Sequence, residues 1–114
     1  MAGGYRNLTV WQKSIKLVVL IYKLTKVFPP AEIYGITSQM KRCVISIPSN
    51  VAEGSKRKTS KDFKYFISIA LGSGAELETQ IEICKQLKLA KAHDYSEIDS
   101  LLTEIMKMLA TMVL

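Results

Sequence analysis

Apolar residues recur at intervals of three and four along most of the chain, which is the spacing of one face of an α-helix. The three prolines and six glycines interrupt this pattern only at a few points. We therefore expect helices as the only regular structure, joined by short connections into an all-α, antiparallel up-down four-helix bundle. The expected domains are an N-terminal arm, residues 1–8, and a single bundle, residues 9–114.

The first two predicted helices are bounded by prolines and a glycine. The first runs from Thr9, as its N-cap, to Phe28, where two prolines prevent its continuation. The second starts within residues 32–37 and ends near Gly54. Pro48 lies inside it, so we expect a kink and the loss of one helical hydrogen bond there.

The last two predicted helices begin with capping signals. Thr59 followed by Asp62 resembles a capping box and opens the third helix, which ends within residues 89–92. The fourth begins at Asp94 or Ser96 and continues to the end of the chain with an apolar stripe of its own.

The first predicted helix carries more apolar surface than one seam of a bundle would cover. On a helical wheel its apolar residues cover about half of the circumference, and Val19 and Leu20 fall within the arc that also holds its lysines. One interpretation is that the helix is well buried inside a monomer. The other is that its second apolar flank packs against another subunit, with candidate interface residues Leu17, Val19, Leu20 and Leu24.

Charge is distributed unevenly along the chain. The 16 Lys and Arg outnumber the 10 Asp and Glu, for a net charge of +6. Up to Ser68, 12 basic residues face 3 acidic ones, a balance of +9, whereas from Ile69 onward 4 basic residues face 7 acidic ones, a balance of −3. This basic first part favours a polyanionic partner.

The densest basic group lies between the second and third predicted helices and on the first turns of the third, where helix N-terminal amides add partial positive charge. Phosphates would be attracted there, with Tyr65 as a stacking face. Alternatively the cations only solvate a loop, and Tyr65 belongs to the core. The candidate nucleic-acid-binding residues are Lys41, Arg42, Lys56, Arg57, Lys58, Lys61 and Lys64.

The sequence contains no recognisable catalytic or metal-binding constellation, so we expect no enzyme activity, no metal and no cofactor. The single histidine, His93, sits beside Asp94 at a predicted helix start, a position typical of capping or of a loop. The run Gly72-Ser73-Gly74 lacks the strand-to-helix elbow of a serine nucleophile. We expect its glycines to allow close approach between helices.

The cysteines and the apolar runs indicate the compartment. Cys43 and Cys84 lack the spacing of a zinc site and lie on apolar stripes, so we expect reduced, partly buried thiols. The apolar run of residues 17–22 is far shorter than the roughly 20 residues of a membrane span. The first residues lack the pattern of a signal peptide. These features indicate a soluble cytoplasmic protein with no membrane partner.

Several long motifs of this chain are similar to those of a known family. They extend over nearly the whole chain from Tyr5, and the chain resembles the four-helix bundle proteins encoded in intervening sequences of bacterial large-subunit ribosomal RNA genes. The motifs are Tyr5-Arg6-Asn7-Leu8-Thr9-Val10-Trp11-Gln12, Thr37-Ser38-Gln39-Met40-Lys41-Arg42, Ser46-Ile47-Pro48-Ser49-Asn50-Val51-Ala52-Glu53-Gly54, Phe63-x-x-Phe66, Ile69-Ala70 and Gly74-Ala75-Glu76-Leu77-Glu78-Thr79-Gln80.

The resemblance implies a four-helix bundle that assembles as a ring-like homopentamer. It also implies a distant kinship with the accessory protein of diversity-generating retroelements, which binds nucleic acid and a reverse transcriptase through a basic surface. It implies no known reaction. The basic loop of this chain is rich in lysine, whose point charges suit phosphates better than base edges.

Two functions from different classes remain. The first is a noncatalytic oligomeric scaffold that binds the RNA or DNA backbone through basic loop and helix surfaces, with little sequence specificity. The alternative is a structural or protein-interaction assembly module with no direct nucleic-acid role, whose acidic surface on the third and fourth predicted helices meets a protein partner. A salt-dependent binding titration separates them.

Overall fold

The computed structural model describes residues 4–114, and within that range the chain forms four α-helices and no strand. The helices are α1 (Thr9–Thr25), α2 (Ser38–Ser55), α3 (Ser60–Gln86) and α4 (Ser96–Met112). Both α1 and α3 pack against α2 and α4, in a body of 44 × 23 × 22 Å. The prediction of an all-α fold with four helices is confirmed.

The core is one cluster of apolar side chains to which all four helices contribute. Its members repeat at the three- and four-residue spacing that the sequence predicts. Within residues 4–114, no helix combines the length and the apolar character that crossing a membrane requires. The fully buried core includes Leu17, Ile21, Met40, Val44, Ile47, Val51, Ile67, Leu77, Ile105 and Leu109.

The ends of α1 differ from the prediction. Its N-cap is Leu8, which has an extended backbone and no side-chain cap, so Thr9 is the first helical residue rather than the cap. The helix stops at Thr25 and not at Phe28. Phe28 precedes Pro29, and the residue before a proline avoids helical geometry, so the chain leaves the helix through a tighter turn.

Other kinds of helical turn connect α1 to α2. Pro30–Glu32 is a 3-10 turn, and Ile33–Thr37 is a π-helical turn in which Gly35 departs from helical geometry, with φ −108° and ψ −117°. The predicted start of the second helix falls on these turns. The α-helix itself begins at Ser38 with Thr37 as its N-cap, so the start agrees with the end of the predicted range to within one residue.

The N-terminal end of α3 matches the prediction and its C-terminal end does not. The Asp62 N–H donates to the Thr59 hydroxyl oxygen at 3.1 Å, which confirms the cap. The helix ends at Gln86, before its predicted end. Lys88 and Ala90 have φ of 58° and 65°, in the left-handed region that a right-handed helix excludes, and no glycine signals this turn in the sequence.

The start of α4 at Ser96 is confirmed, and it follows a 3-10 turn over Ala92–Tyr95. The N-terminal arm is packed where it is described: residues 4–7 form a 3-10 turn against α1 and α2, and the Tyr5 ring lies 5.3 Å from the Trp11 ring. The rest of the predicted arm, residues 1–3, lies outside the described residues.

Candidate nucleic-acid interface

Five predicted phosphate-binding residues lie together where α2 passes into α3. We call them the loop cluster. Lys56 is the C-cap of α2 and Thr59 is the N-cap of α3, so a short turn joins the two helices. Because the cap holds the first turn of α3, the cations on that turn stay close to those of the loop. The loop cluster comprises Lys56, Arg57, Lys58, Lys61 and Lys64.

Close packing beneath the turn fixes its geometry. A Cβ atom at Gly54 would lie 3.1 Å from the Phe66 Cβ and 3.2 Å from the Phe63 carbonyl oxygen. Any larger residue would push the end of α2 away from α3, so glycine is the residue that permits this approach.

One cation of the loop cluster is paired with a carboxylate of the described chain, and the other four are not. Arg57 pairs with Glu53 at 2.8 Å, and its guanidinium carbon lies 4.5 Å from the Phe66 ring centroid. The four lysines form no ion pair with any carboxylate of residues 4–114. Their charge therefore remains available to an external anion.

The N-terminal turn brings two more residues to this surface. The Lys56 Nζ lies 5.7 Å from the Tyr5 ring centroid, and the Arg6 guanidinium carbon lies 5.6 Å from the same centroid. Sequence reasoning missed both Tyr5 and Arg6 as site residues. Their only signal was the contribution of Arg6 to the basic first part, because distance along the chain hides this contact.

An open groove of about 600 Å³ separates the N-terminal turn from the loop cluster, with Tyr5, Arg57, Lys58 and Phe63 among its lining residues. Tyr65 lies on α3 beside the loop cluster and is 63% exposed, so the interpretation that it belongs to the core was wrong. Aromatic faces and cations thus share one end of the molecule.

Lys41 and Arg42 do not join the loop cluster. They lie on the first turns of α2, and the 15 residues from Lys41 to Lys56 correspond to about 22 Å at the helical rise. The structure therefore divides the seven predicted binding residues into two separate places. Lys41 instead lies over the Tyr22 ring, with its Nζ 4.7 Å from the centroid.

The four residues predicted for an oligomer interface occupy different environments. Leu17 is 0% exposed and Leu24 is buried, so both belong to the core of their own chain and their assignment to the subunit surface was wrong. Leu20 is partly buried, and Val19 is 48% exposed. The wheel could not tell which apolar flank faces the core.

Val19 forms an exposed apolar pair with Ile15, which we call the α1 stripe. These residues are four apart, so they lie on one face of α1.

Both cysteines are free thiols buried on the predicted apolar stripes, which confirms their expected positions. Burial, with a smaller contribution from Glu76, raises the pKa of the Cys43 thiol to about 12. Burial, with a smaller contribution from Glu32, raises the pKa of the Cys84 thiol to about 11. Neither thiol is activated as a nucleophile, because reactive thiols have a lowered pKa.

The glycine pair on α3 behaves as expected at one position only. A Cβ at Gly74 would collide with the Met106 sulfur of α4, so this glycine permits close helix approach. A Cβ at Gly72 would meet nothing within 4 Å, so the expectation was wrong there. Ser73 between them is structural: its carbonyl accepts from the Cys43 thiol at 3.0 Å, and its hydroxyl bonds to Ser46.

His93 lies in the exposed 3-10 turn before α4, with its Nε2 3.3 Å from Asp94 Oδ1, as expected for a loop position. Among residues 4–114, no three His, Cys, Asp or Glu side chains come together as potential metal ligands.

Comparison with known proteins identifies the family. No curated protein matches the chain. A crystal structure of a protein of unknown function from the S23 ribosomal protein family of Bacteroides thetaiotaomicron superposes with a TM-score of 0.84, at 26% sequence identity, covering 92% of this chain and 98% of that one. Residues 6–111 match the family described as 23S rRNA-intervening sequence protein. The chain therefore belongs to the 23S rRNA intervening sequence protein family.

Proposed function

We propose that the protein is a noncatalytic homo-oligomer that binds the backbone of RNA or DNA through the loop cluster. The observation that carries this proposal is the set of four unpaired lysines beside an aromatic-lined groove at one end of the molecule. Lysine contacts to phosphate release counterions, so such binding depends strongly on salt and little on sequence.

Two lysines of α1, outside the loop cluster, are paired with carboxylates, whereas the four lysines of the loop cluster are unpaired among the described residues. Lys13 pairs with Glu104 at 2.5 Å, and Lys16 pairs with Glu97 at 3.3 Å. Each of these α1 lysines therefore has a carboxylate of α4 beside it. A phosphate gains less from a paired lysine than from an unpaired one, which favours the loop cluster as the contact surface.

We also propose assembly as a ring-like homopentamer of up-down bundles. The exposed α1 stripe supports an interface, and the resemblance described above supports the ring. The two α1–α4 ion pairs support the up-down arrangement, because a later residue of α1 meets an earlier residue of α4. Repeated loop clusters in one assembly would raise the affinity for a polyanion by avidity.

The noncatalytic and cytoplasmic parts of the proposal rest on the thiols. Cys43 and Cys84 are free and have a raised pKa, which suits inert core residues in a reducing compartment.

The test is a binding titration with single-stranded RNA and DNA of about 20 nucleotides, at about 50 to about 300 mM salt. Lys56→Glu with Lys58→Glu should weaken binding and flatten the log–log salt slope by about 0.7 for each phosphate that is no longer neutralised. The matched control reverses Lys88 and Lys107, which are exposed and unpaired among the described residues. Equal losses of affinity in both variants would indicate a diffuse field rather than a site.

The second candidate is a protein-interaction module, favoured by the C-terminal half of α3. There Ile83 and Leu87 are exposed beside the acidic Glu82. If the unmodified protein binds neither RNA nor DNA at the lowest salt, the nucleic-acid proposal fails and this candidate takes its place.

A further inference from the structure

A second groove, of about 710 Å³, lies between the C-terminal end of α1 and the turns that precede α2. We call it the α1–α2 groove. Its wall is largely apolar and aromatic, with Phe28, Pro30, Ile33 and Tyr34 among the lining residues. Tyr34 is 97% exposed, so its ring has no packing role within the chain and both of its faces are accessible.

Three cations line the same groove: Lys26, Lys41 and Arg42. None of them forms an ion pair with a carboxylate of residues 4–114. Glu32, the acid of this connection, is not among the lining residues and lies close enough to the Cys84 thiol to raise its pKa. The three lining cations therefore give the groove a positive potential that no ion pair among the described residues cancels.

The wall also contains an unpaired polar group. Thr37 lines the groove and is 5% exposed, and its hydroxyl has no hydrogen-bond partner among the described residues. A buried hydroxyl without a partner is unfavourable, and the Oγ1 atom of this one is almost wholly shielded from solvent. Thr37 closes the π-helical turn, a form of helix often found at functional sites.

We propose that the α1–α2 groove binds one unpaired nucleotide, with the base stacked on Tyr34 and the phosphate held by Lys41 and Arg42. A nucleotide joins a flat aromatic surface to an anion, and this groove offers an accessible aromatic ring beside unpaired cations. The nucleotide can come from two sources: an unpaired nucleotide of a bound strand, or a free nucleotide. For the first source, the inference rests on the proposed function and deepens it.

The probes are AMP, adenosine and ribose 5-phosphate, whose dissociation constants are measured by NMR titration. Tyr34→Ala should weaken AMP binding at least about fivefold, the lower end of base–aromatic stacking, and leave ribose 5-phosphate unchanged. Lys41→Gln with Arg42→Gln should weaken AMP and ribose 5-phosphate and leave adenosine unchanged. The matched control is Lys88→Gln with Lys107→Gln, two exposed lysines outside the groove, which should leave the binding of all three probes unchanged.

Circular dichroism should show that each variant is folded, because Tyr34 and Arg42 are exposed and Lys41 is partly exposed. The proposal is overturned if the unmodified protein does not bind AMP, or if Tyr34→Ala binds AMP as tightly as the unmodified protein.

A single-stranded adenosine oligomer of about 12 nucleotides distinguishes the two sources. If Tyr34→Ala weakens oligomer binding as well as AMP binding, the groove holds a nucleotide of the strand. If it weakens only AMP binding, the ligand is a free nucleotide. Loss of oligomer binding on reversal of Lys56 and Lys58, with no AMP binding by the unmodified protein, would overturn the groove and leave the proposed function standing.

Discussion

Lys13 on α1 and Glu104 on α4 form an ion pair, with the Nζ 2.5 Å from Oε1. This pair joins the basic first part of the sequence to its acidic second part. The charge split of +9 and −3 along the chain is therefore not a split of the surface into two faces. Exposed pairs of this kind contribute only about 0–1 kcal/mol to stability, so their main effect is to decide which lysines keep a free charge.

We expect the cap of α3 to stabilise the helix that carries Lys61 and Lys64. Thr59→Ala removes the acceptor of the Asp62 N–H and should lower the free energy of unfolding by about 1 kcal/mol, measured by urea denaturation. Thr59→Ser keeps a hydroxyl and should restore most of the stability. If serine is as unstable as alanine, the methyl group rather than the hydrogen bond is responsible.

The two glycines of α3 should respond differently to alanine. Gly72→Ala should raise the free energy of unfolding by about 0.5–1 kcal/mol, because it improves helix propensity without a steric clash. Gly74→Ala should lack this gain, because the new Cβ displaces the Met106 sulfur. Adding Met106→Ala to each variant in a double-mutant cycle at fixed protein concentration should show coupling to Gly74 and none to Gly72.

The α1 stripe should hold the oligomer together. Val19→Glu places a charge on an exposed apolar position, so light scattering should give a smaller mass while circular dichroism shows intact helices. Ile83→Glu on α3 is the matched control and should keep the mass of the unmodified protein. The opposite pattern would place the interface on α3.

Stability should fall at alkaline pH because of the two thiols. Both titrate near 9.0 in the absence of burial, whereas burial raises the pKa to about 12 for Cys43 and about 11 for Cys84. The native state then binds more protons than the unfolded chain, so this stability is complete below the unfolded pKa and is lost as pH rises from about 9 towards the folded values.

The check is urea denaturation at about pH 8 and about pH 10. Cys43→Ala with Cys84→Ala should lose less of its free energy of unfolding over that interval than the unmodified protein. Tyr95 remains in both proteins, and burial is the main cause of its raised pKa; Cys84 adds to that rise, so the double variant also loses this smaller contribution at alkaline pH. Equal decreases would show that the thiols do not set the pH dependence.

Much of the fold could be predicted from the sequence, because the core residues of a helical bundle recur along each helix at intervals of three and four. The ends of the helices were harder: Lys88 and Ala90 turn the chain with positive φ but without the glycine that normally signals it. For the candidate site, the sequence predicted which residue types take part but not the distances between them. Lys41 and Lys56 belong to the same basic part of the chain, and only the length of α2 shows that they are far apart.

The close approach of Gly54 to Phe63 and Phe66 also affects the entropy of any association at the loop cluster. A flexible basic loop loses backbone freedom when a polyanion orders it, and that entropy cost is subtracted from the affinity. Here the turn is anchored on both sides, by Gly54 before it and by the Thr59 cap after it. Its cations are already arranged, so an arriving phosphate backbone has to order lysine side chains and little of the main chain.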